Sequence, residues 1–175
     1  MELMVLIKGN NKYTVEDKKS RLLYSIKKRG FSNSKLNLLD ASNYNLYTLM
    51  TTGEMSYTII LNDDTFMLIN CKSKFLDPTI KCEGKKLKYV LKSKNSRDFS
   101  IIMDDEEKGI IETDVSVSGE LQYNITIQDK IFDDYIPLFA VVIDKIFGDA
   151  NRQPQVIQQI AEEKKKKNKE KHDKE

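Results

Sequence analysis

The sequence predicts a mainly β fold: a closed antiparallel barrel of about twelve strands around one buried C-terminal helix. Short segments alternate apolar and polar residues with a period of two, and Asn, Asp, Gly and Lys clusters separate them. This pattern is typical of consecutive hairpins. One segment near the C-terminus is apolar on all sides, and a sheet that closes around it would bury it and remove exposed strand edges.

Twelve segments have the strand pattern, and they are rich in β-branched or aromatic residues, which favour strands. None of them shows a helical period. In chain order, the predicted strands are residues 3–8, 13–17, 22–28, 35–40, 46–52, 55–62, 66–73, 79–83, 86–92, 99–104, 110–117 and 122–129.

Two of the predicted hairpins are related by an internal repeat. The segments that begin at Val15 and Leu38 align without a gap at an offset of 23 residues. Asp17 and Asp40 close the first strand of each unit, where a carboxylate can accept backbone N–H bonds two residues further on. Tyr24 and Tyr47 open the next strand, where a half-buried pleated surface favours an aromatic ring.

The apolar segment is predicted to be a helix. Between residues 135 and 143, only Pro137 is neither aliphatic nor aromatic. We expect Asp133 or Asp134 to cap the start, Pro137 to fit the first turn, and Gly148 to end the helix in a left-handed conformation. The apolar run is much shorter than the roughly 20 residues of a membrane span. It is therefore predicted to fill the barrel.

Length and composition indicate one domain and a tail. Residues 1–150 are predicted to form the barrel domain, with the central helix at residues 133–147. Residues 151–175 are predicted to be a charged tail that begins as a short helix and then becomes disordered. The apolar edge of that helix and its favourable i,i+4 ion pairs are expected at Val156, Ile157 and Ile160, and at Glu162–Lys166 and Glu163–Lys167.

Charges nearly balance, with 29 Lys and Arg against 27 Asp and Glu, and the tail holds the small basic excess. A uniformly basic nucleic-acid binder is therefore disfavoured. The N-terminal apolar run is too short for a signal peptide and has no basic leader, so we expect a cytoplasmic protein that can lie peripherally at a membrane. Cys71 and Cys82 have no metal-binding spacing and are expected to be small buried apolar residues.

Taken together, these features resemble the tubby C-terminal-like superfamily, and within it the LURP-one-related proteins and their small bacterial counterparts. The resemblance covers roughly residues 1–150 and rests on the repeated hairpin unit, the strand "YNITI", and Asp134 and Tyr135 before a hydrophobic helix with a late Asp144. It implies a barrel of about twelve strands around a central helix. Tubby proteins bind phosphoinositide headgroups through a basic cleft and phospholipid scramblases are thought to share the fold, so the resemblance also implies lipid binding.

Candidates for catalysis are few. The single histidine, His172, lies in the charged tail, so catalytic triads and His-ligated zinc sites have no oriented imidazole. The sequence has no glycine-rich phosphate loop. The acidic residues 104–107 lack the alternating ligands of a calcium loop and are interpreted as a solvated turn. We therefore expect no enzyme activity, no cofactor and no metal.

Basic clusters are the best functional signal in the sequence. We expect one cluster at a hairpin tip and two others on single faces of strands. Their members are Lys27, Lys28, Arg29, Lys72, Lys74, Lys86 and Lys88. If neighbouring strands bring two of these clusters together, they would form a positive strip for phosphate-bearing headgroups. The alternative is that they are the ordinary Lys-rich outer face of a barrel.

Two functions are consistent with these patterns. The first is a non-catalytic binding module that docks an anionic lipid headgroup or a membrane surface, assisted by the tail lysines. The second is a protein-interaction or scaffold domain whose partner binds the apolar edge of the tail. The tail lysines also suit a purely solubilising role, because acidic residues are interspersed among them.

Overall fold

A computed structural model of the chain describes residues 1–95 and 97–174, so Glu175 of the predicted tail lies outside the described residues. Twelve strands form a closed antiparallel barrel, as predicted, and each strand pairs with its neighbours in the chain. The strands are β1 (Glu2–Gly9), β2 (Lys12–Asp17), β3 (Leu22–Lys28), β4 (Lys35–Asp40), β5 (Asn45–Gly53), β6 (Ser56–Leu61), β7 (Asp64–Cys71), β8 (Thr79–Gly84), β9 (Lys88–Ser93), β10 (Phe99–Met103), β11 (Glu106–Val115) and β12 (Leu121–Ile127).

The barrel closes through the first and last strands. In the β1–β12 pair, Leu3 lies opposite Ile125 and Val5 lies opposite Tyr123. All four side chains are buried, because alternate residues of a strand point to the same face and this face is the barrel interior.

The two ends of the barrel carry different sets of strand connections. Successive strands run in opposite directions, so the β2–β3, β4–β5, β6–β7, β8–β9 and β10–β11 connections share one end, which we call the proximal end. The β1–β2, β3–β4, β5–β6, β7–β8, β9–β10 and β11–β12 connections share the other, the distal end. Strand β12 finishes at the proximal end, and from there the chain turns into the interior.

Helix α1 (Pro137–Asn151) runs through the interior from the proximal to the distal end and is buried on nearly every side. Val141, Val142 and Ile143 are consecutive β-branched residues, which disfavour an isolated helix. The surrounding barrel therefore stabilises α1 by burying its apolar side chains.

The ends of α1 differ from the prediction. Neither Asp133 nor Asp134 caps the helix: Ile136 occupies the capping position without a side-chain hydrogen bond. Asp134 instead accepts a hydrogen bond from the Tyr24 hydroxyl at 2.5 Å. Gly148 does not end the helix but lies inside it, next to the ion pair between Asp144 and Arg152. Close packing, rather than a left-handed turn, requires glycine at this position.

Replacing Gly148 with alanine is expected to lower the free energy of unfolding by about 1–3 kcal/mol, which is typical of overfilling a packed site. A glycine-to-alanine change inside a helix ordinarily raises the free energy of unfolding by about 1 kcal/mol. The sign of the measured change therefore shows whether the added methyl group overfills the site. A Cβ atom here would lie 2.6 Å from Asp144 Oδ1 and would overlap the Arg152 guanidinium. Urea unfolding of the two proteins measures the difference.

Asp149→Ala is the matched control, since Asp149 is the next residue of α1 and its side chain is fully exposed. This change is expected to alter stability by less than about 0.5 kcal/mol. A stabilised Gly148→Ala protein would show that the site has room for a methyl group.

Helix α2 (Pro154–His172) extends further along the tail than the predicted short helix. Its apolar edge packs on the outside of the barrel, where Ile160 is buried with Val115 and Leu121. The predicted i,i+4 pair of Glu163 does not form, because Glu163 binds Arg97 at 2.8 Å. Contacts with the barrel thus keep the lysine-rich segment helical. Within the described residues, no helix has both the length and the apolarity to cross a bilayer.

The predicted repeat is confirmed by matching turns. Asp17 Oδ1 accepts backbone N–H bonds from Lys19 and Arg21, at 2.8 and 3.0 Å. Asp40 Oδ1 accepts the equivalent bonds from Ser42 and Tyr44, at 2.8 and 2.9 Å. Both turns lie at the proximal end, and each delivers a tyrosine to the segment that leads into α1.

Candidate binding surface at the distal end

The structure gathers five of the seven predicted basic residues at the distal end. Lys27 and Lys28 are the last two residues of β3, and Arg29 follows them. Lys72 and Lys74 lie in the β7–β8 connection and not on a strand as predicted, because β7 ends at Cys71. All five side chains are exposed. Their role in binding stays a prediction.

The other two predicted residues lie at the proximal end. Lys86 is in the β8–β9 turn, and Lys88 is the first residue of β9, so the predicted shared strand face does not form. Lys86 lines a pocket of about 440 Å³ together with Phe66 and Leu87. The seven residues therefore do not form one cluster, because the two groups lie at opposite ends of the barrel.

Three distal connections adjoin one another along the rim of the barrel. The Thr51 N–H donates to the Ser34 carbonyl at 2.8 Å, which ties the β3–β4 connection to β5. The Cys71 N–H donates to the Met55 carbonyl at 3.0 Å, which ties the β5–β6 turn to β7. We call residues 27–35, 54–55 and 72–78 the distal loop surface.

The distal loop surface is strongly positive. Its acidic residues are Glu54 and Asp77. Its basic residues are Lys27, Lys28, Arg29, Lys35, Lys72 and Lys74. Within residues 1–95 and 97–174, none of these basic side chains takes part in the observed ion pairs. Their charges are therefore available to an anionic ligand.

Apolar side chains project from the same surface, and the sequence analysis missed them. The relative exposure is 106% for Phe31, 84% for Phe75 and 89% for Leu76. Local backbone geometry shapes the loops that carry them. Gly30 adopts a φ of 63°, and the Phe75 N–H donates to Ser73 Oγ at 3.2 Å. The sequence signal would have been an apolar residue one or two positions after a basic one in a turn, as in "KRGF" and "KSKFL".

A buried polar cluster lies inside the barrel near its distal end. Asp144 accepts hydrogen bonds from the hydroxyls of Tyr13 at 2.7 Å and Tyr123 at 2.8 Å, and it binds the Arg152 guanidinium at 2.7 Å. Burial, followed by the nearby Asp144 charge, raises the pKa of both tyrosines well above the usual range. The cluster gives hydrogen-bond partners to Asp144, the acidic residue in the buried part of α1, and so anchors the helix.

Aromatic side chains pack around the start of α1. The Tyr135 and Tyr89 hydroxyls are 2.6 Å apart, and the Tyr135 ring contacts Tyr47, Phe66 and Phe139 with ring centroids 5.0–6.0 Å apart. Burial raises the pKa of Tyr135 far above its usual value. These contacts anchor the proximal end of the helix and make it part of the core.

The two cysteines are buried and free, as predicted. Burial raises the pKa of both thiols, so neither is a reactive thiolate at neutral pH. In the part of the chain that the structure describes, no three His, Cys, Asp or Glu side chains are grouped so that they could hold a metal ion. The positive charge and the exposed apolar side chains of the distal end are therefore the features that mark it as a candidate binding surface.

Comparison with known proteins agrees with this architecture. The structure is similar to the X-ray structure of a protein from Arabidopsis thaliana, with a TM-score of 0.59, 15% sequence identity, and coverage of 86% of this chain and 90% of that chain. At this identity the likeness shows the fold alone. No curated protein sequence matches the chain. A sequence model of the LURP-one-related family matches residues 3–144, which span the barrel and about half of its central helix, and the chain therefore belongs to the LURP-one-related family.

Proposed function

We propose that this protein is a non-catalytic binding module that docks its distal loop surface on an anionic, phosphate-bearing lipid surface. The observation that supports this proposal is the convergence of Lys27, Lys28, Arg29, Lys72 and Lys74 on one end of the barrel, all exposed. Such docking would hold the protein peripherally at a membrane.

The distribution of charge favours docking in one orientation. Each basic residue close to an anionic membrane contributes about 1 kcal/mol. The proximal end is mixed in charge: Asp63 lies between β6 and β7 and Asp104 and Asp105 lie between β10 and β11, whereas the β2–β3 and β8–β9 turns carry Lys18, Lys19, Arg21, Lys85 and Lys86. An anionic surface therefore attracts the distal loop surface more strongly than the proximal end.

The tail contributes less than its sequence suggests. Lys164 binds Asp114 at 2.8 Å and Lys167 binds Glu112 at 3.6 Å, so these two lysines hold α2 against β11. The apolar edge that we considered as a partner site is packed on the barrel, with Ile160 buried. A protein-interaction role through that edge consequently gains no support.

Replacing Lys27, Lys28, Arg29, Lys72 and Lys74 together with glutamine is expected to weaken binding to phosphatidylserine-containing vesicles at least about 100-fold, given about 1 kcal/mol for each charge. Vesicle flotation measures the bound fraction, with pure phosphatidylcholine vesicles as the uncharged reference. The control is Lys85→Gln/Lys86→Gln/Lys88→Gln, which removes charge from the proximal end and is expected to leave binding nearly unchanged.

Two outcomes would contradict the proposal. Wild-type protein that stays unbound with both kinds of vesicle would remove lipid docking altogether. An equal loss of binding in the distal and proximal variants would show that net charge, and not the distal loop surface, governs the attraction.

A further inference from the structure

The apolar side chains of the distal loop surface point to the kind of anionic ligand that it binds. We infer that Phe31, Phe75 and Leu76 insert into the interfacial layer of a lipid bilayer while the neighbouring basic residues bind lipid phosphates. The ligand is then an intact membrane and not a free phosphate or a soluble headgroup. This inference rests on the proposed function, because insertion requires that the surface first dock on lipid.

The exposure of these side chains supports insertion. Phe31, Phe75 and Leu76 present nearly their whole apolar surface to solvent, although burial of a large apolar side chain is strongly favourable. Of the other phenylalanines, Phe99, Phe139 and Phe147 are buried in the barrel, and Phe66 and Phe132 are partly buried against its core. Exposed apolar residues that are grouped on one surface mark a site of contact with another apolar phase.

Phe31 and Phe75 form the tips of their loops, and the basic residues beside these tips indicate that the apolar phase is a membrane. Arg29 precedes Phe31 by two residues, and Lys74 directly precedes Phe75. An apolar tip with basic residues immediately behind it matches the bilayer interface, where anionic phosphates lie just outside the acyl region. The β5–β6 turn lies between the two loops along the rim, so Phe31 and Phe75 belong to the same end of the barrel.

Hydrogen bonds within the β3–β4 and β7–β8 connections hold the backbone in a form that exposes Phe31 and Phe75. Arg29 N–H donates to the Lys35 carbonyl at 3.0 Å and closes the β3–β4 connection. Cys71 Sγ contacts the Ser73 carbonyl at 3.3 Å, and the Ser73 hydroxyl holds the Phe75 backbone. Insertion therefore needs little further ordering of the loops, which lowers its entropic cost.

Tryptophan reporters test the inference directly, because the chain has no tryptophan of its own. Phe31→Trp and Phe75→Trp each introduce one fluorophore at a tip. On mixing with phosphatidylcholine vesicles that contain phosphatidylserine, we expect a blue shift of the emission and quenching by brominated lipid. Tyr44→Trp is the control: Tyr44 is 68% exposed but lies in the β4–β5 connection at the proximal end, and its emission is expected to stay unchanged.

A second measurement separates insertion from attraction between charges. The variant Phe31→Ser/Phe75→Ser/Leu76→Ser keeps all the basic residues and is expected to lose at least about tenfold in vesicle affinity. It is also expected to dissociate completely in high salt, which screens charges, whereas the wild type keeps part of its binding. Inorganic phosphate is not expected to displace the wild type at matched ionic strength.

The outcomes distinguish the inference from the proposed function. Vesicle binding without a spectral shift at either tip would overturn insertion and leave electrostatic docking in place. Displacement by inorganic phosphate at matched ionic strength would likewise overturn it, in favour of a soluble anion. Wild-type protein that fails to bind anionic vesicles would remove the proposed function and the inference together.

Discussion

The Asp144→Ala protein is expected to be less stable than the wild type by about 3–5 kcal/mol, because the change leaves buried polar groups without partners. The hydroxyls of Tyr13 and Tyr123 both donate to Asp144. These two side chains are 3% and 0% exposed, so solvent replaces the lost acceptor poorly. Arg152 adds less to the loss, since its side chain is 38% exposed and can be rehydrated.

Urea unfolding followed by circular dichroism measures this effect, and two variants calibrate it. Tyr13→Phe removes one donor and leaves Asp144 with two partners, so the expected loss is about 1–2 kcal/mol. Asp149→Ala removes an exposed carboxylate of the same helix and is expected to change stability by less than about 0.5 kcal/mol. A loss for Asp144→Ala no larger than that of Asp149→Ala would mean that the buried cluster does not anchor α1.

Alkaline pH is expected to destabilise the protein, with a loss of about 4 kcal/mol at pH 11 from Tyr13, Tyr123 and Tyr135. Burial raises the pKa of these hydroxyls far above the usual 10.0. The folded state therefore keeps protons that the unfolded chain releases above pH 10. Their contribution is complete below pH 10 and is lost as the pH rises toward the folded-state pKa, by about 1.4 kcal/mol per group and pH unit.

Other groups modify this profile. Burial also raises the pKa of Cys71 and Cys82 above the usual 9.0, so the decline is expected to begin near pH 9. Burial lowers the pKa of Lys145, which has the opposite sign and offsets a small part of the loss.

Urea midpoints between pH 7 and pH 11 provide the measurement for this second prediction. The Tyr123→Phe variant is less stable throughout, but its slope above pH 10 is expected to be shallower by about 1.4 kcal/mol per pH unit. A stability that stays flat from pH 9 to pH 11 would show that the tyrosines ionise equally in both states.

Local sequence rules were sufficient for the number and order of the strands and insufficient for several strand ends and for the ends of the helix. The bounds of β3 and β4 match the prediction, because Asp17 and Asp40 mark their turns by side-chain bonds within four residues. Gly148 was misassigned because its role depends on Asp144 and Arg152, which approach it only in the folded helix. Capping rules consider neighbours along the chain, and here tertiary packing decides.

The candidate surface could be predicted in part. Counting strands would have separated Lys72 and Lys74 from Lys86 and Lys88, since connections after odd and even strands lie at opposite ends. The exposed tips are harder to predict. Phe75 and Phe99 both follow a charged residue, yet Phe75 is 84% exposed and Phe99 is fully buried. Whether β7 ends before Phe75 depends on its pairing with β8, which the local sequence does not encode.

The position of α1 in the chain ties folding to protein synthesis. All twelve strands leave the ribosome before the helix that fills their barrel, and β1 must wait for β12 to close the sheet. Until then the nascent chain exposes the apolar faces of its strands, and such long-range pairing is slow. Chaperones that recognise emerging polypeptides consequently have an unusually long period in which to engage it.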